Sequence, residues 1–493
     1  MLLFGLFSFI FAAKKCVVLD GGSTGTRAFI IQYEDVDDIY TFIQVNKTGC
    51  KAGQVCDPAY FGGAPAFNDM KPGDTKQMDE ISKQIVDLLF TKGVDTLIPE
   101  RERPSVTVLV YSTAGMRLLS KDQQNAINTH FYNYLKLNTK YSVDQKDVRT
   151  LLGYEESLYQ WLTINQISYA IGSGNRTVAM MSMGGASTQF TLELKYAPDD
   201  DFVRQFVYHV TVSGKMHYLY QYSFLEYGTN VWAPKMHQPR YDRKNFTTPC
   251  MYDGGQYSTQ IFTKEKPDEQ IWFDFLGVAD LQECYDMVTE HLPKPTDKSL
   301  CHGMPALFRD TSVDGDNCVP CPEPFTELYG MSIVQDAVKY ISPRLPDKGV
   351  TLPELKTAAN KFAETYNYTQ VIELNDGDDN AMWSLSNQAM VLNFLQRGFE
   401  DVISGDKITL VTKEVVNGKL VEWQLGAAIA RFSSNFKIIQ AKDDTFWKPG
   451  VIAGICIACA VVVGVVVGLS VYFYMRSKRL YNPDLQKDSS SNV

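Results

Sequence analysis

The chain has 493 residues, room for two to four domains at ~100–200 residues each. Hydrophobic residues make up 45% and charged residues 21%, which excludes disorder, collagen and coiled coil as descriptions of the whole chain. With 47 Lys and Arg against 57 Asp and Glu, the formal charge is −10, and no long basic run offers the clustered cations that a nucleic-acid polymer needs.

Residues 1–13, MLLFGLFSFIFAA, carry no charge and are too short to span a bilayer. They end in Ala12-Ala13, which predicts a signal peptide. Residues 15–19 read as a buried strand, followed by a Gly-rich turn and a second strand over 26–32. Helical periodicity covers 79–92 (Ile81, Ile85, Leu88, Leu89), and 106–111 is an apolar strand ending in Ser112-Thr113-Ala114-Gly115. A helix is expected over 151–170, with the adjacent acids Glu155 and Glu156 near its start. A strand over 178–183 then runs into Gly184-Gly185-Ala186-Ser187-Thr188, with 189–195 as its hairpin partner. Residues 196–330 read as loop-rich, and 334–341, 352–366 and 383–399 as helices. Strands mixed with helices imply α/β layers.

Residues 451–475 form 25 residues without a charge, long enough to span a membrane, and Arg476, Lys478 and Arg479 follow at once. The ends therefore predict a single-pass type I membrane protein, with 14–450 on the cell surface or in the secretory lumen, 441–450 as a juxtamembrane linker and 476–493 as a cytoplasmic tail. The tail holds four basic and two acidic residues, so the charge of −10 divides into +2 inside and −12 outside. Within the span, Gly464 and Gly468 have the spacing that lets two helices approach closely, a candidate contact for a homo-oligomer. Sequons at Asn46, Asn175, Asn245 and Asn367 predict N-glycosylation of the outer part. Its eight cysteines predict disulfides in an oxidising compartment. Cys50–Cys56 and Cys318–Cys321 are candidate local bridges, Cys16 is a candidate free core residue, and pairing among Cys250, Cys284 and Cys301 stays open.

The chain also repeats itself. VVLDGGSTGTRAFII (17–31) resembles MMSMGGASTQFTLEL (180–194), each with two glycines and a Ser or Thr between apolar strands. Two copies suggest two similar lobes facing a shared cleft. Glycines let backbone N–H groups approach phosphate oxygens, so Gly22, Ser23 and Thr24 on one side and Gly184, Gly185, Ala186 and Ser187 on the other are candidate phosphate-binding residues.

Asp20-Gly-Gly-Ser-Thr-Gly-Thr-Arg27 resembles the first phosphate loop of the apyrase (nucleoside triphosphate diphosphohydrolase) family. Ser112-Thr-Ala-Gly-Met-Arg-Leu-Leu119, Gly153-Tyr-Glu-Glu-Ser-Leu-Tyr-Gln-Trp161, Gly184-Gly-Ala-Ser-Thr-Gln189 and Trp423-Gln-Leu-Gly426 resemble its next four conserved regions, in order. The resemblance implies the two-lobed actin/ribonuclease H-like α/β fold, with nucleotide between lobe one (14–150, joined again by 405–440) and lobe two (151–404). It implies hydrolysis of the terminal phosphate of nucleoside tri- or diphosphates, with Mg²⁺ or Ca²⁺. Glu156 is implied as catalytic base, and Thr113, Ser187 and Gln189 as residues that orient the water and hold the terminal phosphate. Asp20 is implied to hold the metal through water. Arg117 is a candidate for either phosphate or an internal ion pair, Trp423 for packing, and Tyr329 and Trp383 for the nucleobase platform. One departure concerns the metal: Ser182 stands where the family usually has an Asp two residues before the glycine pair. Ser157 stands where a glycine usually follows the acids. These departures motivate one alternative, a nucleotide-binding surface protein without turnover; a second alternative is an adhesion or structural ectodomain that merely inherited the fold.

Overall fold

In the computed structural model, the described residues are 13–47, 59–173, 176–264, 270–291, 306–309, 318–320, 325–341, 349–399 and 408–441. Residues 1–12 of the expected signal peptide, the expected span 451–475 with Gly464 and Gly468, the expected tail 476–493, Asn175, and Cys50, Cys56, Cys301 and Cys321 lie outside them. Among the described residues no helix is long and apolar enough to cross a membrane. The elements below belong to the compact unit Met1–Ile438.

The first sheet opens with the expected hairpin, β1 (Lys14–Gly21) and β2 (Thr26–Tyr33). Residues 16–21 are all buried, which is why β1 reads as an apolar run rather than an alternation. Short strands β3 (Ile43–Gln44) and β4 (Tyr60–Ala64) pair with β2. Strand β5 (Thr107–Ser112) lies parallel to β1, and β6 (Ser142–Thr150) parallel to β5. The order is β3-β2-β1-β5-β6.

The second sheet repeats this plan. Its hairpin is β7 (Ala179–Met183) and β8 (Ser187–Leu194), extended by β9 (Val207–Val212) and β10 (Lys215–Leu225). The chain then builds a satellite sheet, β11 (Thr247–Thr248), β12 (Gln256–Phe262) and β13 (Gln270–Gly277), and a pair, β14 (Ala306–Arg309) and β15 (Cys318–Pro320). It returns with β16 (Glu327–Ser332) parallel to β7, then β17 (Val350–Thr351) and β18 (Thr409–Val411), the latter parallel to β16. The path β10-β8-β7-β16-β18 matches the first sheet strand for strand. Both hairpins close over four residues, 22–25 and 184–187.

Two helices lie between the sheets. Gly153–Ile167 packs on β7, β8 and β10, whereas Gln424–Phe432 packs on β1 and β2 and against the first helix. The first is buried at every position from Glu156 to Ile167, as a helix covered on all sides must be. One core therefore joins Val18 and Ile31 of the first sheet to Met180 and Leu219 of the second through Trp161, Leu425 and Ile429. Thr163 ties the helices together: its Oγ1 donates to Glu422 O (3.0 Å) and accepts from Gly426 N–H (2.9 Å).

Several expectations shift. The helix expected over 79–92 runs Thr75–Val86, and the chain widens into a π-type turn over Asp87–Thr91. Residues 196–330 are not mainly loop, because 207–225 forms a long hairpin of the second sheet. The return to the first sheet does not begin at 405, since Thr409–Val411 still pairs in the second; Gln424–Phe432 makes the return. Lys121–Asn138 is a further helix. Cys16 is buried and free, and Cys250 pairs with Cys284. Asn46, Asn245 and Asn367 are exposed, as an N-glycan requires.

Candidate active site

The two glycine loops meet. A Cβ at Gly185 would stand 2.4 Å from Ser23 Oγ and 2.6 Å from Asn230 Nδ2, so any larger residue would displace these two side chains from where they now stand. The second loop is pinned from behind by the helix Thr229–Asp242, where Asn230 N–H donates to Gly185 O (2.8 Å) and Thr229 N–H to Gly184 O (3.2 Å). Gly184 and Gly185 are half-buried, Ala186 and Ser187 buried. In the first loop Gly22 and Ser23 are half-buried and Thr24 is exposed.

Below the loops, the start of Gly153–Ile167 separates its two acids. Glu155 is structural: Arg149 grips both its oxygens (2.7 Å each) and it accepts from Leu152 N–H (2.9 Å), closing the helix cap. Glu156 turns inward and is 8% exposed. Its Oε2 receives Arg117 Nη1 at 2.8 Å and Gln189 Nε2 at 3.4 Å. Gln189 Nε2 also reaches Ser187 Oγ (2.5 Å) and Ser223 Oγ (3.2 Å). Arg117 Nη2 reaches Ser187 Oγ (2.9 Å). Glu156, Ser187 and Gln189 are thus brought into one hydrogen-bonded group. Thr113 is bonded instead to the end of β1, just before the first loop, its N–H and Oγ1 both donating to Gly21 O (3.0 and 3.4 Å).

Asp20 is the second-last residue of β1, 6% exposed. Gln424 Nε2 donates to its Oδ2 at 3.0 Å and Arg27 stands 3.9 Å away, while its buried Oδ1 has no donor. Burial pushes the Asp20 carboxyl up to about 6; Arg27 and Gln424 pull it back, and the Glu156 charge adds to the rise. Glu422, two residues before Gln424, is pushed up to about 8 by burial, with the Asp20 charge adding. Ser182 is 2% exposed and its Oγ bonds Ser332 Oγ at 3.2 Å, a neutral pair at the ends of the parallel strands β7 and β16. Ser157 is accommodated, with its hydroxyl bonded to Phe190 O and Thr191 Oγ1 on β8.

The three aromatic candidates all lie in packed surroundings, and Trp423 takes the packing role expected of it. Trp423 is 5% exposed in the core, against Tyr159. Tyr329 is core as well, its hydroxyl donating to Lys413 O, so it offers no face to a base. Trp383 meets Tyr257 edge-on. Ser223 was not foreseen. It lies opposite Gln189 across β8 and β10, and only that pairing could reveal it.

Two sheets of one strand order, joined by crossing helices and closed by facing glycine loops, define the actin-like ATPase type of fold. The chain belongs to the GDA1/CD39 (nucleoside phosphatase) family, which matches residues 12–442. Nucleoside-diphosphatase mig-23 of Caenorhabditis briggsae is 30% identical over 242 residues, 43% of this chain and 40% of that protein. The aligned part thus spans well under half of that relative. Guanosine-diphosphatase of Schizosaccharomyces pombe is 25% identical over 449 residues, 85% of this chain and 73% of that one. Among solved structures, nucleoside triphosphate hydrolases from Neospora caninum share the fold at TM-score 0.54 and 15% identity, covering 86% of this chain and 93% of that one.

Proposed function

We propose that the chain hydrolyses the terminal phosphate of nucleoside di- or triphosphates. The observation that carries the reading is the group Glu156, Gln189 and Ser187, which sits beside facing glycine loops in a nucleoside phosphatase fold. The loops' N–H groups and Ser23 hold the phosphates. Thr113, fixed to the end of β1 just before the first loop, adds a hydroxyl on that side. Ser187 and Gln189 orient a water, and Glu156 takes its proton as the oxygen attacks phosphorus in line with the leaving phosphate. A divalent cation, Mg²⁺ or Ca²⁺, supplies charge neutralisation on the phosphates when bound. The residues present fit such an ion held through water. Asp20 Oδ1 is an orphaned buried acceptor, and among the described residues no three His, Cys, Asp or Glu side chains form a metal-ligating group. The test is phosphate release by the purified chain over a panel of nucleotides, with and without chelator. Release that Glu156→Gln abolishes supports the reading; release that it leaves unchanged overturns it.

The neutral Ser182–Ser332 pair favours a second reading, nucleotide binding without turnover. It predicts calorimetric binding and no phosphate release. For the whole chain we propose a type I topology, with the enzyme outside the cytosol. The span 451–475 and the exposed Asn46, Asn245 and Asn367 support it.

A further inference from the structure

Arg117 is the last residue of the short helix Ala114–Arg117, and its side chain is 11% exposed. Its guanidinium is fully engaged at both ends. Nη1 donates to Glu156 Oε2 (2.8 Å) and Leu151 O (3.4 Å), and Nη2 to Ser187 Oγ (2.9 Å) and Ser223 Oγ (3.5 Å). Of the five N–H donors of a guanidinium, only the one on Nε is left for a phosphate. Ser223 is the second anchor. It faces Gln189 across the ladder and accepts from Gln189 Nε2. A Cβ at Gly153 would lie 2.4 Å from Ser223 Cβ, so the helix that carries Glu156 starts directly on this serine.

We propose that Arg117 and Ser223 act as a pair of positioning residues for Glu156, with Arg117 holding the carboxylate and Ser223 holding Arg117. The inference rests on Glu156 being the acid that handles the attacking water. Arg117 joins the first half of the molecule to Ser187 and Ser223 of the second, so it fixes the carboxylate relative to the water-holding Ser187 and Gln189. A misplacement of ~1 Å at such a site costs about 100-fold in rate. A ligand that holds the phosphate equally in ground and transition states would act on KM; a positioning residue acts on turnover.

The test is kcat and KM for phosphate release by the full chain, on the nucleotide that the parent cleaves fastest. Arg117→Gln is expected to lower kcat about 100-fold with KM within about twofold, and Arg117→Lys to recover roughly tenfold of that loss. Ser223→Ala is expected to lower kcat roughly 3- to 10-fold, and by less than that in the Arg117→Gln background, where only its bond to Gln189 remains. A loss confined to KM overturns the proposal, as does an additive double variant. Parent-like kcat in Ser223→Ala and Arg117→Lys, both of which keep the fold's packing, overturns it too. Glu156→Gln keeps the two failures apart. If it is as active as the parent, the hydrolytic reading falls. If it is inactive while the Arg117 and Ser223 variants match the parent, only the positioning role falls.

Discussion

At the scale of single residues, the sequence points to Glu156, and the structure gathers Ser187 and Gln189 around it together with Arg117 and Ser223. The pair Glu155-Glu156 was visible in the chain, but which acid serves the cleft depends on helix phase. Glu155 lies under Arg149, and Glu156 reaches Gln189. Ser223 was not legible, because a serine mid-strand carries no local signal until the β8–β10 register is known. Ser182 raises a sharper question. A carboxylate at this buried position is costly without a counter-charge. Ser182→Asp is therefore expected to melt at a lower temperature than the parent in chelator, and to regain that loss with Mg²⁺. It should also need roughly tenfold less Mg²⁺ for half-maximal phosphate release. Thermal melting and a Mg²⁺ titration check this, and an unchanged Mg²⁺ requirement counts against a cation beside residue 182.

At the scale of elements, the hairpins were the most legible feature, because two glycines between apolar runs have few other uses. The hairpin over 207–225 was missed. Its buried positions do not follow its residue types, since Tyr208, Tyr218 and Tyr222 are only partly buried. Lys121–Asn138 was missed despite its local mark, Ser120 and Gln123 in a reciprocal cap. Gly185→Ala tests the facing loops. The added Cβ meets Ser23 Oγ and Asn230 Nδ2, so both side chains must turn away from the site. Phosphate release is expected to fall at least roughly tenfold, with loss of overall stability limited to about 1–3 kcal/mol.

The helix Thr229–Asp242 supplies a pH test. His237 is fully buried, with Nδ1 donating to Ala233 O (2.8 Å) and Nε2 accepting from Thr248 Oγ1 (2.9 Å). Burial pulls its pKa from 6.5 down to about 4. The unfolded chain binds the extra proton first. The neutral ring therefore stabilises the fold fully above pH 6.5, and this contribution fades as pH falls toward 4. The shift corresponds to about 3 kcal/mol. Melting curves should show the parent losing more stability over this window than His237→Gln, and equal losses contradict the assignment.

At the scale of the whole molecule, duplication was foreseen from a fifteen-residue likeness and emerges as two matching five-strand paths. The return of the chain to its first sheet comes later than the 405 expected from the sequence, because β18 is a three-residue strand with no alternation to read. The link between the halves is the crossing of Gly153–Ile167 with Gln424–Phe432, where Thr163 satisfies one carbonyl and one N–H of the partner segment. Thr163→Val keeps the shape and leaves both groups buried and unpaired. A loss of about 1–3 kcal/mol in urea unfolding is expected, and no loss means the helices are held by apolar packing alone.

The proposed reaction is hydrolysis driven by Glu156 between the two glycine loops. It is tested most directly by phosphate release from nucleoside di- and triphosphates with Mg²⁺ or Ca²⁺, comparing the parent chain with Glu156→Gln. The account predicts release by the parent and a fall of about 10²- to 10⁴-fold in the variant, with folding intact. No release by the parent from any nucleotide, or equal release by both, would contradict it.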